Sequence, residues 1–383
     1  MVTASDPGLG EQLAGLSPEL RAKLASHGFD AQRFLRLAER FRGETPEANF
    51  VKGRLAPPRA SDVSRLPEPD SAEYARLRDA GARVLREGRV ALLVLAGGMA
   101  TRMGGVIKAL VDAVPGHSFL DLRLAEVGAI GQQYGRTPPL WLMTSDATDA
   151  GIRAALGPAL DGRALATFQQ HLSLRLTPDG NIFFDEAGQP SEYAPGHGDL
   201  PDALRESGLL QAFVDRGGQV VMVSNIDNMG GLLDPALIGF HLGHGKPVTC
   251  ELVAKLPSDR GGIPAYVDST LCVLEEFRIP PTFDPKIVPV FNTNVFHFDA
   301  RALLALDMPW SFFTVRKKLG AHAVVQFERL INEVTSYLPT AYLEVPREGA
   351  ASRFLPVKDN DELAKRQPEI EAVMRARGIL RSS

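Results

Sequence analysis

Apolar and polar positions change their period along the chain in a regular order. Residues 90–95 (VALLVL) form an uninterrupted apolar run, which is typical of a strand buried on both faces of a sheet. Two further apolar runs follow at residues 140–144 and 219–224. Three stretches have helical spacing, at residues 119–134, 146–156 and 235–242. Strands that alternate with helices predict an α/β fold with a mostly parallel sheet.

The first part of the chain has a different pattern. Residues 16–41 place leucine and phenylalanine side chains among charged ones at near-helical spacing, and a proline-bearing stretch follows at residues 57–69. We therefore predict a helical N-terminal extension, residues 1–88, packed on a catalytic domain, residues 89–383. No chemistry is assigned to the extension. Near the other end, residues 362–381 are predicted to form a basic surface helix.

The charge balance gives no reason to expect nucleic acid or an anionic membrane as a partner, because 42 basic side chains stand against 46 acidic ones. Residues 1–11 do not have the pattern of a signal peptide, and no run approaches the roughly 18 apolar residues of a membrane span. We therefore expect a cytoplasmic protein without a membrane partner. Cys250 and Cys272 are expected as reduced, partly buried thiols, and a disulfide between them is the alternative.

The loop at residues 95–108 (LAGGMATRMGGVIK) carries the first candidate chemistry. Gly97 and Gly98 follow the apolar run, and without Cβ atoms they let a base or a phosphate approach main-chain N–H groups. Arg102 and Lys108 add cationic side chains where a triphosphate would lie. The spacing fits neither GxxxxGK[ST] nor GxGxxG. A tight connection without a ligand is the alternative.

A carboxylate and two amides follow the third apolar run. Asp227 lies where a strand ends, a position from which a carboxylate can bind Mg²⁺ and bridge phosphate oxygens. Asn225 and Asn228 flank it and suit sugar hydroxyl groups, while helix capping is the alternative for the aspartate. His241 and His244 lie three positions apart without a third ligand, so we expect surface or capping histidines.

Three further segments hold polar side chains in defined local settings. His197 lies between two glycines, and we expect it to donate a hydrogen bond to a phosphate oxygen. Asn292 and Asn294 alternate on an extended segment and are therefore expected on one face, where paired amides suit hydroxyl recognition; capping of the following turn is the alternative. Lys358 follows an apolar anchor fixed by Pro356, which defines its position better than that of most surface lysines.

Together these segments resemble the signature elements of the UDP-sugar pyrophosphorylase family. Its glycine loop, L-x-G-G-x-G-T-x-M-G…P-K, is similar to residues 95–108, with Ala100 and Ile107 in place of a glycine and a proline. The elements P-P-G-H-G-D, V-S-N-I-D-N, F-N-T-N and S-R-F-L-P-V-K resemble residues 194–199, 223–228, 290–294 and 352–358, in the family's order. Residues 167–170 resemble its F-x-Q element, in which a glutamine reads the uracil.

The resemblance implies a Rossmann-like, GT-A-like nucleotidyltransferase fold, with a mixed, mostly parallel sheet flanked by helices. It also implies roles for individual residues. The nucleotide-binding set is Leu95, Ala96, Gly97, Gly98, Lys108, Gln170, Gly196 and Lys358. The sugar-phosphate-binding set is His197, Asn225, Ile226, Asp227, Asn292 and Asn294, with Asp227 as the Mg²⁺ ligand. The catalytic set is Lys108, Lys358 and Arg102.

The activity that the resemblance implies is Mg²⁺-assisted uridylyl transfer from UTP to a sugar 1-phosphate, with pyrophosphate as the leaving group. Glucose 1-phosphate is the expected acceptor, because the later segments look most like the glucose-1-phosphate branch of the family. The alternatives are UDP-N-acetylhexosamine synthesis, a broader range of sugars, or a non-catalytic homologue that binds sugar nucleotides. Relatives commonly carry a C-terminal β-helix domain; 25 residues follow Lys358 here, so we expect none, and a monomer or weak homo-oligomer.

Overall fold

The computed structural model describes residues 8–380, so residues 1–7 of the predicted extension and residues 381–383, which include the end of the predicted C-terminal helix, lie outside the described residues. The helices are α1 (Leu9–Ala14), α2 (Pro18–Ser26), α3 (Ala31–Arg42), α4 (Ala72–Arg86), α5 (Phe119–Tyr134), α6 (Asp146–Leu156), α7 (Leu200–Glu206), α8 (Leu209–Asp215), α9 (Pro235–Gly243), α10 (Ala300–Leu304) and α11 (Asn360–Ala376).

The strands are β1 (Leu55–Ala56), β2 (Val63–Arg65), β3 (Val90–Leu95), β4 (Met99–Ala100), β5 (Val106–Ile107), β6 (Asp112–Val114), β7 (His117–Ser118), β8 (Leu140–Thr144), β9 (Leu165–Gln169), β10 (Ser173–Leu174), β11 (Glu192–Tyr193), β12 (Val220–Asn225), β13 (Val248–Ala254), β14 (Ile263–Val267), β15 (Thr270–Leu274), β16 (Val290–Asp299), β17 (Phe313–Leu319), β18 (His322–Glu328) and β19 (Thr340–Glu344). Eight of them form the central sheet, in the order β2–β19–β13–β16–β12–β3–β8–β9. Strand β16 runs antiparallel to β12 and β13, whereas the other neighbouring pairs run parallel. The sheet is therefore mixed and mostly parallel, and the predicted fold class is confirmed.

Alternate residues of the central strands pack into two cores, one on each face of the sheet. On β3, Ala91 and Leu93 belong to the first core, and Leu92 and Val94 belong to the second. Helices α7 and α8 contribute to the first core, and α4, α5, α6 and α11 contribute to the second. Because both faces are covered, the strand has no polar face, which explains its uninterrupted apolar run.

The elements that position the predicted site lie where the pattern placed them. Helices α5 and α6 and strands β3 and β8 have the predicted bounds, and β12 is shifted by one residue from the predicted 219–224. At the start of α5, Ser118 Oγ accepts the Asp121 N–H at 3.1 Å, and the Asp121 carboxylate accepts the Ser118 N–H at 2.8 Å. This reciprocal capping fixes the first residue of the helix.

The part before residue 89 is only partly helical. Helix α2 lies within the predicted residues 16–41 and α3 ends one residue beyond them, but the helical interpretation is corrected at two later places. Strand β1 pairs with β14, and β2 pairs with β19 at the edge of the central sheet. Strands of two and three residues are too short to produce an alternating pattern in the sequence. The domain division at residue 88 stays a prediction.

Helices α4 and α9 approach each other closely at two glycines. A Cβ atom on Gly81 would lie 1.9 Å from the Pro235 carbonyl oxygen, and one on Gly239 would lie 1.9 Å from the Leu77 carbonyl oxygen. The missing side chains allow the two backbones to touch. A helix of the predicted extension is therefore fixed directly against a helix of the predicted catalytic domain.

The expectation of a surface helix near the C-terminus is corrected in part, because α11 buries Ile370, Val373 and Met374 in the second core.

Cys250 and Cys272 are buried and free, which confirms the expected thiols. Among residues 8–380, no helix has both the length and the apolar character that crossing a membrane requires.

Candidate active site

Two loops lie side by side at the carboxyl edge of the central sheet, because the strands before them are neighbours. Strands β3 and β12 run parallel and are paired up to Leu95 with Asn225. Just beyond, the Ile226 N–H donates to the Leu95 carbonyl at 3.1 Å. The glycine loop and the loop that carries Asp227 therefore start at the same place, where open α/β sheets bind their ligands.

Side chains at the start of α6 hold the backbone of the glycine loop. Ser145 Oγ donates to the Gly97 carbonyl at 2.9 Å, and Thr148 Oγ1 donates to the Ala96 carbonyl at 3.0 Å. Gly98 borders open space, since no atom lies within 4 Å of a Cβ atom built there. The loop therefore has a fixed beginning and an uncovered main chain at Gly98, as close approach of a ligand requires.

The glycine loop packs against the predicted uracil-reading residue. A Cβ atom on Gly97 would lie 2.7 Å from Gln170 Oε1, so a larger residue would displace this amide. Ala100, which replaces a glycine of the family pattern, has a φ of −78°, a conformation open to every residue type. The left-handed positions of the loop are Gly104 and Gly105, with φ of 88° and 76°. Alanine at position 100 therefore requires no unusual backbone.

An ion pair joins the two loops. Lys108 Nζ lies 2.5 Å from Asp227 Oδ2, and the side chains are 15% and 16% exposed. Such a covered pair is screened less by water than an ion pair on the surface. The structure thus places one predicted catalytic cation directly beside the predicted metal ligand. Asp227 Oδ1 has no hydrogen bond or ion pair with any residue that the structure describes.

Two of the predicted sugar-binding amides contact each other. Asn294 Nδ2 donates to Asn225 Oδ1 at 2.9 Å. Asn294 has a φ of 59°, a left-handed conformation that asparagine adopts more readily than most residues. Strand β16 has an irregular register against β13 in this region, between Cys250 and Leu252. The amide of Asn294 is therefore brought to the end of β12.

The other two asparagines hold backbone groups. Asn292 Oδ1 accepts the Asn294 N–H at 2.9 Å, which is the turn-capping alternative. Asn294 has a left-handed φ in place of the extended backbone that the sequence suggested, and the placement of both amides on one face stays a prediction. Asn228 is buried; it donates to the Arg353 carbonyl at 3.2 Å and accepts the Leu355 N–H at 2.8 Å. Its expected sugar contact is wrong, and that of Asn292 stays a prediction.

His197 is held as a neutral hydrogen-bond donor. Gly196 has a φ of 113°, and a Cβ atom there would lie 2.8 Å from the Arg329 carbonyl oxygen, so this turn requires glycine. His197 Nδ1 accepts the Ile331 N–H at 3.0 Å. Burial lowers the pKa of His197 to about 4, so the ring is neutral at pH 7 and carries its proton on Nε2.

The remaining predicted cations are exposed. Lys358 comes just before α11, and its backbone N–H donates to Glu362 Oε2 at 2.7 Å. The segment before Lys358 packs on the Asp227 loop, since a Cβ atom on Gly230 would lie 2.4 Å from the Arg353 carbonyl carbon. Arg102 is exposed in the short 3₁₀ turn after β4. The structure therefore anchors the backbone near Lys358 and leaves both cationic side chains accessible.

His241 and His244 contact one hydroxyl group. His241 Nδ1 lies 2.9 Å and His244 Nε2 lies 2.7 Å from Thr249 Oγ1. The expectation of surface or capping histidines is wrong for His241, which is 4% exposed because α9 packs its ring against the sheet. Burial lowers the pKa of both rings. Within residues 8–380, no group of three or more His, Cys, Asp or Glu side chains could hold a metal ion.

Sequence reasoning missed four buried charged or titratable residues behind the site. Arg353 Nε and Nη2 donate to the Glu251 carboxylate at 2.9 and 2.6 Å, and His297 Nε2 lies 2.8 Å from the same carboxylate. Arg123, on α5, donates to the backbone of the Asp227 loop. The available signal for Arg123 was an arginine placed directly between two leucines in a mostly apolar helix start, FLDLRLAEV.

The donors near Asp227 fit Mg²⁺. This ion keeps several waters and is usually held by one or two carboxylates together with substrate phosphates, not by a cage of protein ligands. Asp227 supplies one carboxylate with an unengaged Oδ1, and Lys108 adds a cation for the phosphates.

A mostly parallel sheet with a glycine loop and a carboxylate at the ends of two adjacent strands is a Rossmann-like α/β fold. Solved structures from Trypanosoma brucei share it. A UDP-glucose phosphorylase has a TM-score of 0.71 at 23% identity, covering 94% of this chain and 77% of that one. A UDP-N-acetylglucosamine pyrophosphorylase has a TM-score of 0.73 at 19% identity, covering 91% of this chain and 79% of that one.

A family model described as UTP–glucose-1-phosphate uridylyltransferase matches residues 32–371, and the chain belongs to this family.

Curated relatives carry the same description. The UTP–glucose-1-phosphate uridylyltransferase of Saccharomyces cerevisiae is 28% identical over 323 residues, which cover 79% of this chain and 64% of that protein. That of Encephalitozoon cuniculi is 28% identical over 345 residues, which cover 86% of this chain and 66% of that protein. The chain thus spans slightly less than two thirds of the length of these relatives.

Proposed function

We propose that the protein transfers a uridylyl group from UTP to glucose 1-phosphate. A phosphate oxygen of glucose 1-phosphate attacks the α-phosphorus of UTP, the bond from that phosphorus to the bridging oxygen of the β-phosphate breaks, and pyrophosphate leaves. The observation that carries this proposal is the covered Lys108–Asp227 pair between the glycine loop and the Asn225 amide. Family membership and the descriptions of the relatives support it.

The reactants are anions, so the protein has to position them and offset their charge. The main chain at Leu95, Ala96, Gly97 and Gly98 and the Gln170 amide would bind the nucleotide, with Gly196 beside it. Lys108, Lys358 and Arg102 would offset the triphosphate charge. Asp227 would hold Mg²⁺, which supplies Lewis-acid stabilisation of the phosphates when bound. The nucleophile is already a phosphate anion, so no general base is required.

The sugar phosphate would lie on the other side of the Asp227 loop. The neutral His197 ring would donate through Nε2 to its phosphate without adding a charge. Asn225 and Asn294, held to each other at 2.9 Å, would bind the sugar hydroxyl groups with the groups that their mutual bond leaves available. The backbone at Ile226 and the amide of Asn292 complete this proposed set.

Pyrophosphate release from UTP, measured with a panel of sugar 1-phosphates, tests the proposal. We expect glucose 1-phosphate to give the highest kcat/KM, and N-acetylglucosamine 1-phosphate and galactose 1-phosphate to give much lower values. Comparable values for several sugars would favour the broad-specificity alternative. Binding of UDP-glucose without pyrophosphate release from any mixture would show a non-catalytic homologue.

We further propose a cytoplasmic protein that acts as a monomer or weak homo-oligomer and does not bind nucleic acid. The net charge of −4 supports the last part, because nucleic-acid binding depends on a basic surface. Light scattering coupled to size-exclusion chromatography tests the oligomeric state, and a stable dimer at micromolar concentration would contradict it.

A further inference from the structure

Arg123 lies inside the molecule, beneath the loop that carries Asp227. It belongs to α5 and is 0% exposed. Apart from one bond to Glu126 on its own helix, its Nη1 and Nη2 bonds serve the end of β12 and the loop after it, while Nε has no hydrogen-bond partner among the described residues. Nη2 donates to Ser224 Oγ at 3.1 Å and to the Asn225 and Asn228 carbonyls at 2.8 Å each, and Nη1 donates to the Gly231 carbonyl at 2.8 Å.

Glu126, one turn later on α5, binds both Arg123 and the backbone of the same loop. Its Oε2 accepts from Arg123 Nη1 at 2.8 Å, and its Oε1 accepts the Leu233 N–H at 2.6 Å. The two side chains therefore hold the backbone of this loop at residues 225, 228, 231 and 233. Both are at most 1% exposed, so water does not compete for these bonds.

Stability alone is a poor explanation for this pair. Burying two charges costs desolvation free energy that their attraction often only offsets, and apolar residues of similar volume frequently stabilise a fold as well or better. What apolar residues cannot do is bind three carbonyl groups of one loop. The hydrogen bonds of Arg123 therefore identify what its burial achieves, which is a single conformation for residues 225–231.

The fixed carbonyls enclose the residues of the proposed chemistry. Asp227 lies between Asn225 and Asn228, whose carbonyls Arg123 binds. The side chain of Asn225 contacts Asn294, and that of Asp227 contacts Lys108. We propose that Arg123 is a positioning residue, which sets the place of the Asp227 carboxylate and the Asn225 amide. This inference rests on the proposed function and adds to it a residue that touches no substrate.

The test compares Arg123→Met and Arg123→Lys with a destabilised control, Leu24→Ala. Leu24 is buried in the apolar core beneath the N-terminal helices, and the residues of that core include none of the proposed site residues. Mn²⁺ binding with and without UTP, followed by electron paramagnetic resonance, is measured beside kcat and KM, well below the unfolding temperature of every variant. Loss of a group that orients a metal ligand typically costs about 10- to 100-fold in affinity or activity.

We expect Arg123→Met to lose about 10- to 100-fold in Mn²⁺ affinity and in kcat, with KM for UTP changed less than about threefold. Arg123→Lys should recover part of the loss, since an ammonium group can reach some of the carbonyls. Leu24→Ala should unfold at a lower temperature and retain both Mn²⁺ affinity and kcat.

The proposal would be overturned if Arg123→Met kept the Mn²⁺ affinity and the kcat of the wild-type protein, whether or not its free energy of unfolding changed. If Arg123→Met does not fold, Arg123→Lys decides the question: unchanged Mn²⁺ affinity and kcat would overturn it, and a selective loss of both would support it. A wild-type protein that binds Mn²⁺ through Asp227, as shown by loss of binding in Asp227→Asn, but transfers no uridylyl group would refute the proposed function. The Mn²⁺ affinities would then still decide the role of Arg123.

Discussion

At the scale of single residues, Lys358 has an anchored backbone and an exposed side chain. The preceding residues pack on the Asp227 loop, and no hydrogen bond or ion pair holds the ammonium group to a residue that the structure describes. The side chain therefore contributes little to folding. The proposed role of the Lys358 side chain is to offset charge on the triphosphate, and it has this role only when the substrate is bound.

Lys358→Ala should therefore lower kcat by about 100-fold, as removal of a single charge-stabilising group does in other active sites. The free energy of unfolding in urea should change by less than about 0.5 kcal/mol. Lys365, an exposed lysine on α11, provides the matched control, and Lys365→Ala should change neither quantity. Full UDP-sugar synthesis by Lys358→Ala would sink the proposed role.

His197 should remain neutral in the folded protein until the pH falls close to its pKa of about 4. The unfolded chain binds this proton near pH 6.5. The contribution of His197 to stability is therefore complete above pH 6.5 and is lost as the pH falls from there towards 4. Nuclear magnetic resonance of the labelled ring should show Nε2–H across pH 5.5–8. A titration near pH 6.5 in the folded protein would contradict this account.

The asparagines show which site residues can be predicted from sequence. The motifs predicted Asn225 and Asn294 in one sugar-binding set, and the structure brings the two side chains into contact. They did not reveal that Asn228 would bind backbone groups, and they left backbone capping by Asn292 as an open alternative, because a short amide side chain serves a nearby N–H group as readily as a ligand. The choice depends on burial, and Asn228 is 1% exposed.

At the scale of elements, strands β3, β8 and β12 and helices α5, α6 and α9 could be predicted to within one residue, because an uninterrupted apolar run or a helical spacing marks each of them. Strands β1 and β2 could not, since their two and three residues pair with strands more than 200 positions later. The contact between α4 and α9 could not be predicted either, because a glycine within a helical sequence does not indicate which residue packs against it.

Gly239→Ala should force α4 and α9 apart and lower the free energy of unfolding by about 1–3 kcal/mol, the usual cost of overpacking. Gly243→Ala is the control in the same helix, since no atom lies within 4 Å of a Cβ atom there. It should be neutral or stabilise by up to about 1 kcal/mol, because alanine favours helix. Urea denaturation measures both, and equal stability of the two variants would show that the helices are not in contact at Gly239.

At the scale of the whole molecule, the site depends on strand order. Lys108 and Asp227 are 119 positions apart, and they meet because β3 and β12 are adjacent in the sheet. The sequence predicted each residue but not the pair, since the alternation of strands and helices leaves open which strands are neighbours. The contacts of Arg123 could not be predicted for the same reason, because its partners lie about 100 positions later in the chain.

UTP with Mg²⁺ should stabilise the whole molecule by mass action, by about 2.7 kcal/mol at 100 times its dissociation constant. ATP at the same concentration should stabilise it less, because Gln170 is proposed to read the uracil. Lys108→Met should abolish most of the UTP effect. Thermal unfolding measures all three, and equal stabilisation by ATP and UTP would contradict the proposed base recognition.

The most direct test of the central claim is a ³¹P nuclear magnetic resonance time course of the purified protein with UTP, glucose 1-phosphate and Mg²⁺. Uridylyl transfer predicts that the signals of UDP-glucose and pyrophosphate rise one for one as both reactants fall. It also predicts that omitting glucose 1-phosphate leaves UTP intact. Unchanged reactants, or release of orthophosphate and UDP in place of pyrophosphate, would contradict the account.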